Sequence, residues 1–158
     1  MMAELQNISG LKELQAAMKE LPANIARNVL RGAVNAGATV IREEAKTRAP
    51  QPSGPPIKDQ PPPGTLKRAL YQKQIREKSS AVLQTFFVGV RQGRSAKKTK
   101  KGRIDAWYAR FVEFGTSKMV AKPFMRPAFE AKKMAAVDAI KDYLLKRIPD
   151  EVDKARKK

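Results

Sequence analysis

The chain has 158 residues and a formal charge of +18, from 33 Lys and Arg against 15 Asp and Glu, and it contains neither His nor Cys. That length predicts one globular unit over residues 1–158, with 42% apolar residues to build a core without metals or cross-links. The missing residue types exclude disulfides, cysteine nucleophiles, histidine general bases and zinc sites of the usual nitrogen and sulfur type, while the charge excess calls for acidic partners such as nucleic acid or acidic protein surfaces.

No apolar run approaches the roughly 20 residues needed to cross a bilayer, and Met1 to Gly10 lacks the basic and hydrophobic regions of a signal peptide. The expectation is a protein without a membrane partner, made in a reducing cytoplasm. In chain order, Ser9 can cap a first helix whose Leu11, Leu14, Met18 and Leu21 form one apolar stripe ending at Pro22. A second helix is predicted from Ala23 to about Thr47, roughly 38 Å long at 1.5 Å per residue. Its buried face carries Ile25/Val29, Leu30/Val34 and Val40/Ile41, and Arg27, Arg31, Asn35, Arg42 and Lys46 lie opposite. Gly32 and Gly37 allow another helix to approach closely.

Seven of the eleven prolines lie between Ala49 and Gly64, so residues 49–64 can neither continue a helix nor join a central strand. A stiff exposed loop explains them better than a polyproline signalling ligand does. After a short turn at Leu66 to Leu70, Tyr71 to Arg76 and Ala81 to Val90 read as the strands of a hairpin joined through Lys78-Ser79-Ser80. Residues 91–103 follow as a mobile basic loop with Arg91, Arg94, Lys97, Lys98, Lys100, Lys101 and Arg103. Lysines and arginines among Gly, Ser and Thr can bind phosphates without reading sequence, and no aromatic residue lies among them to stack on bases. Contact with DNA, contact with an acidic subunit and plain solvation all remain open for this loop.

Trp107, Tyr108, Phe111 and Val112 predict a short helix anchored in the core, with Arg110 and Glu113 as a surface pair and Gly115 as its stop. Pro123 and Pro127 bracket an extended crossing. Pro127 then opens a last helix with Phe129, Val137, Ile140, Leu144 and Ile148 on one face, stopped by Pro149 before a flexible tail at residues 150–158. The fold class expected is α+β, with long N-terminal and C-terminal helices packed on a small antiparallel sheet.

Catalytic chemistry finds little support. Glu44-Ala45-Lys46 has the ending of a metal-dependent nuclease motif, but two residues apart on a helix do not share a face. Neither Gly89 to Gly93 nor Gly32 with Gly37 has the spacing of a phosphate-cradling loop. No cofactor and no enzymatic activity are expected.

The run Tyr108-Ala109-Arg110-Phe111-Val112-Glu113-Phe114-Gly115-Thr116-Ser117-Lys118, followed by Pro123-Phe124-Met125-Arg126-Pro127-Ala128-Phe129, resembles the signature of the neck or tail-completion proteins of long-tailed bacteriophages. These are minor tail or head-tail joining proteins, compared with tail protein Z of phage lambda. Gly10-Leu11, Arg48-Ala49-Pro50 and the turn leading to Leu66 extend the resemblance over most of the chain. Gln51 to Pro63 and the extended basic loop depart from it. The resemblance implies a structural virion protein of the neck and tail, assembled in the host cytoplasm. It implies other neck and tail subunits as partners (tail terminator, head-closure or connector proteins), a homo-oligomeric ring, and DNA contact in the channel. It also marks Tyr108, Phe111, Glu113, Phe114, Gly115, Thr116, Pro123, Phe124, Arg126 and Pro127 as the residues that fix the fold or dock a partner. The competing expectation is a non-specific basic DNA-binding accessory protein.

Overall fold

The computed structural model describes residues 15, 16, 19, 23–51, 61–93, 97–99 and 102–156. The predicted first helix and most of the proline-rich segment lie outside these residues; Gln15, Ala16 and Lys19 are helical and exposed. The architecture is α+β: two long helices pack on each other, and a two-stranded antiparallel sheet packs on the first.

Helix α1 runs Ala23–Arg48, as its apolar periodicity predicts, but its most buried positions are small. Val29, Ala33, Ala38 and Ala45 are buried, while Leu30, Val34, Val40 and Ile41 are only half-buried. The reason is the closeness of the last helix, α4, Met125–Arg156. A Cβ added at Gly37 would lie 2.8 Å from the Ile140 side chain and 2.9 Å from the Ala136 carbonyl. The backbones therefore meet at a point where only glycine fits, which justifies a residue that costs a helix about 1 kcal/mol relative to alanine.

Helix α2, Thr65–Ala69, replaces the expected turn. Strand β1, Leu70–Gln74, pairs antiparallel with β2, Phe86–Val90, in the register Leu70↔Val90 to Gln74↔Phe86. The second strand is shorter than its β-prone run because Ser80 and Leu83 close a turn through two backbone-directed bonds, leaving Val82 and Leu83 exposed. Gln72 fastens β1 to α1 by donating to Asn35 Oδ1 at 2.7 Å and Thr39 Oγ1 at 2.9 Å.

The basic stretch is not a structureless loop throughout. Strands β3, Lys97–Thr99, and β4, Gly102–Ile104, form a short antiparallel ribbon, because a two-residue connection lets a chain of any charge close backbone hydrogen bonds. Helix α3, Ala109–Phe114, follows.

Two proline expectations are corrected. Helix α4 starts at Met125, two residues before Pro127, because a proline in the first turn removes an N–H that has no intrahelical acceptor there. It also runs through Pro149 to Arg156 rather than ending at the proline, so residues 150–156 are helix, not a frayed tail. An internal proline costs about 3 kcal/mol, and here the helix is held on both sides of it. Ile148 is buried in a cluster with Val29, Ala33 and Leu144, Val152 packs against the same cluster, and Glu151 reaches back to Arg147 at 3.1 Å and on to Lys154 at 3.2 Å.

Candidate functional site

The segment richest in motif residues lies where α3 turns into α4, and one carboxylate organises it. Glu113 does not pair with Arg110. Its Oε2 accepts the N–H groups of Phe124 at 2.8 Å and Met125 at 3.0 Å, and its Oε1 accepts that of Arg126 at 3.2 Å. A helix leaves its first four N–H groups without intrahelical acceptors. Glu113 takes three of them, Pro127 has none to offer, and Ala128 begins the helical ladder by donating to the Phe124 carbonyl at 3.2 Å. The N-terminus of a 32-residue helix is thus fully satisfied, with a negative charge at its positive end.

This capping brings Phe124 inward. It is 1% exposed, the largest fully buried side chain among the described residues, in a buried cluster with Leu66, Leu70 and the alanines Ala45, Ala49, Ala69, Ala106, Ala109 and Ala128. Tyr108 and Val112 pack on the same cluster. The Tyr108 hydroxyl meets the backbone of Leu66, and burial pushes its pKa above the ordinary value.

The connection between the two helices depends on Gly115. Its N–H donates to the Phe111 carbonyl at 2.8 Å, closing α3. Its φ of 76° and ψ of −179° belong to a region open essentially to glycine, and a Cβ there would lie 2.9 Å from both the Met119 carbonyl and the Ala121 nitrogen. Thr116 and Met119 then bond to each other across a tight turn, Thr116 Oγ1 accepts the Lys118 N–H at 3.2 Å, and Lys122 N–H returns to the Val112 carbonyl at 2.8 Å. Gly115→Ala is expected to lower stability by about 1–3 kcal/mol, read as a lower urea midpoint with an unchanged slope; an unaltered midpoint would mean that the turn re-forms without strain.

Over residues 12–115 the chain matches the family model described as "Bacteriophage HK97-gp10, putative tail-component". The chain belongs to this family. The HK97 gp10-like match places it among phage tail components, in the virion tail with other tail proteins as neighbours. No curated protein and no solved structure matches the chain.

The gp10-like match ends at Gly115, so Thr116, Pro123, Phe124, Arg126 and Pro127 lie beyond it. The structure joins them to the matched part through Glu113. Tyr108, Glu113, Gly115, Phe124 and Pro127 build the junction, whereas Phe111 and Phe114 point outward. Trp107 is 58%, Phe111 43% and Phe114 68% exposed, so of the four residues expected to anchor the core only Tyr108 and Val112 do so, and Trp107 and Phe111 do not. Phe124 takes that place from the other side of the junction. Trp107 instead meets Tyr108 and Phe111 edge-on, with ring centroids 6.0 Å away in each case. Met119 and Val120 on the following turn are exposed as well, and neither stood out in the sequence.

The basic residues divide. Arg91 lies 4.4 Å from the centre of the Tyr71 ring, so it is stacked at the sheet rather than free in a loop. Arg94, Lys100 and Lys101 lie outside the described residues. Lys97, Lys98 and Arg103 are carried by the β3–β4 ribbon, where Lys98 and Arg103 are direct cross-strand partners. No described helix is long and apolar enough to cross a membrane.

Proposed function

We propose that this gp10-like chain is a non-enzymatic structural subunit that completes the tail and joins it to the head at the phage neck, in the role of tail protein Z of phage lambda. The observation that carries the reading is the exposed apolar surface of Trp107, Phe111, Phe114, Met119 and Val120 on a junction made rigid by Glu113 and Gly115. A soluble monomer seldom leaves so many large apolar groups together in water, and such patches mark protein contacts. Aromatic residues on a fixed support are the usual anchors of an interface. Tail terminator, head-closure or connector proteins are the proposed neighbours, met after folding in the host cytoplasm. Copies of the chain set around the tail axis would repeat one heterologous contact in a closed ring.

Immunogold electron microscopy of particles from a producing culture tests this, with antibody against the chain. Gold at the head-tail junction is the expected result; clean particles beside labelled free protein would overturn it.

The Lys98↔Arg103 pairing favours a second role, non-specific contact with DNA in the channel. The register sets two cationic residues at partner positions of one ribbon, and cations bind DNA by neutralising phosphates. Affinity for duplex DNA should then fall linearly with salt on logarithmic axes, and Lys98→Ala with Arg103→Ala should reduce the slope by about 2. A slope unchanged by both substitutions would remove the ribbon from any DNA contact.

A further inference from the structure

The β1–β2 sheet has two strands, so each strand is an edge. Ile75 donates to the Thr85 carbonyl at 2.8 Å and Arg91 to that of Ala69 at 2.9 Å. With the register of the pair, these bonds turn the odd residues of β2 toward β1 and the N–H and C=O groups of Phe86, Val88 and Val90 away from it. None of those outward groups has a partner among the described residues.

A groove runs along that edge between β2 and α4. One part, of about 410 Å³, is lined by Val34 and Ile41 of α1, Phe86 and Val88 of β2, and Val137 and Ile140 of α4. A second, of about 520 Å³, continues past Val90 toward α3 and the start of α4, and both share Val88 and Phe129. Phe87, Phe114 and Phe129 stand 47%, 68% and 49% exposed along it.

Arg110 and Arg126 line the second part of the groove. Both are exposed, and neither side chain has a carboxylate partner among the described residues. On a chain of +18, a second copy would bring like charge to this rim, whereas an acidic subunit would neutralise it.

We infer that β2 accepts, as a third strand of the sheet, an extended apolar segment flanked by carboxylates from a different, acidic subunit. Backbone bonds to Phe86, Val88 and Val90 supply the strand pairing, alternate side chains fill the groove over α1 and α4, and Arg110 and Arg126 hold the carboxylates. The inference rests on the reading of the chain as an assembly subunit. It concerns the groove alone, so gold labelling and the following experiment can fail separately.

The probe is a synthetic peptide alternating valine and threonine with a glutamate at each end, added to the full isotope-labelled chain. Amide exchange at Val88 and Val90 should slow by about tenfold or more, with a lysine-ended peptide binding at least about tenfold more weakly. Val88→Pro removes one outward N–H and leaves the bonds to β1 intact, so it should abolish the response in a folded protein. Arg110→Glu with Arg126→Glu should instead reverse the preference between the two peptides. Four results overturn the inference: no protection at Val88 and Val90, equal binding of both peptides, protection in the free chain that vanishes when residues 1–22 are removed, or protection that grows with the chain's own concentration. The third would identify the chain's own N-terminal segment as the occupant, and the fourth a second copy.

Discussion

Phe124→Ala is expected to destabilise the protein by about 4–5 kcal/mol, the upper end of the range for removing a buried phenylalanine. The cost of such a change depends on whether the surroundings can move into the space. Here six of the eight other buried residues of its cluster are alanines (Ala45, Ala49, Ala69, Ala106, Ala109 and Ala128, beside Leu66 and Leu70), and a methyl group has no rotamer with which to reach inward. Closing the space would require α1, α2, α3 and α4 to shift together. Against a typical total of about 5–15 kcal/mol, the loss decides whether soluble subunits accumulate at all. Urea unfolding followed by circular dichroism measures it, and Phe124→Leu should recover most of the loss by refilling part of the volume. A loss below about 2 kcal/mol would show that the cluster closes after all.

Glu113→Ala is expected to cost about 2–4 kcal/mol, since it strands three backbone donors at once where an ordinary cap serves one or two, and bonds to a charged acceptor are the stronger kind. Distances of 2.8, 3.0 and 3.2 Å to a single carboxylate leave no other acceptor in place. Glu113→Gln should lose about half as much, because one of its two oxygens remains an acceptor. Hydrogen exchange at the amides of Phe124, Met125 and Arg126 separates this effect from general loosening. Those three should exchange faster in Glu113→Ala while the middle of α4 keeps its protection. Wild-type exchange at all three would mean that water replaces the carboxylate without cost.

Much of the fold was legible because long helices write themselves in apolar periodicity. The extent of α1, the antiparallel pairing of the two β-prone runs and the glycines at the helix contact all follow from local pattern. The errors share a cause, which is that periodicity identifies an apolar face but not what covers it. Trp107, Phe111 and Phe129 have the spacing of core residues and stand in water, because the small residues Ala106, Ala109 and Ala128 beside them carry the burial. Pro149 reads as a stop, yet contacts made by Ile148 and Val152 outweigh the lost hydrogen bond. The motif residues were visible as a group, but their division of labour was not. That Glu113 serves amides 11 to 13 positions away is a property of the turn at Gly115, and no spacing rule for a helix surface would give it.

The family likeness covers residues 12–115, and the bonds made by Glu113 cross that boundary. Cut after Gly115, the chain would keep the carboxylate but lose every amide it serves, keep five of the six alanines clustered with Phe124 but lose Ala128 and the ring itself, and keep α1 without the helix that Gly37 admits. The recognisable stretch is therefore a unit of descent without being a unit of folding. A fragment defined by likeness alone would misrepresent the protein, and experiments on it would report the behaviour of an opened core.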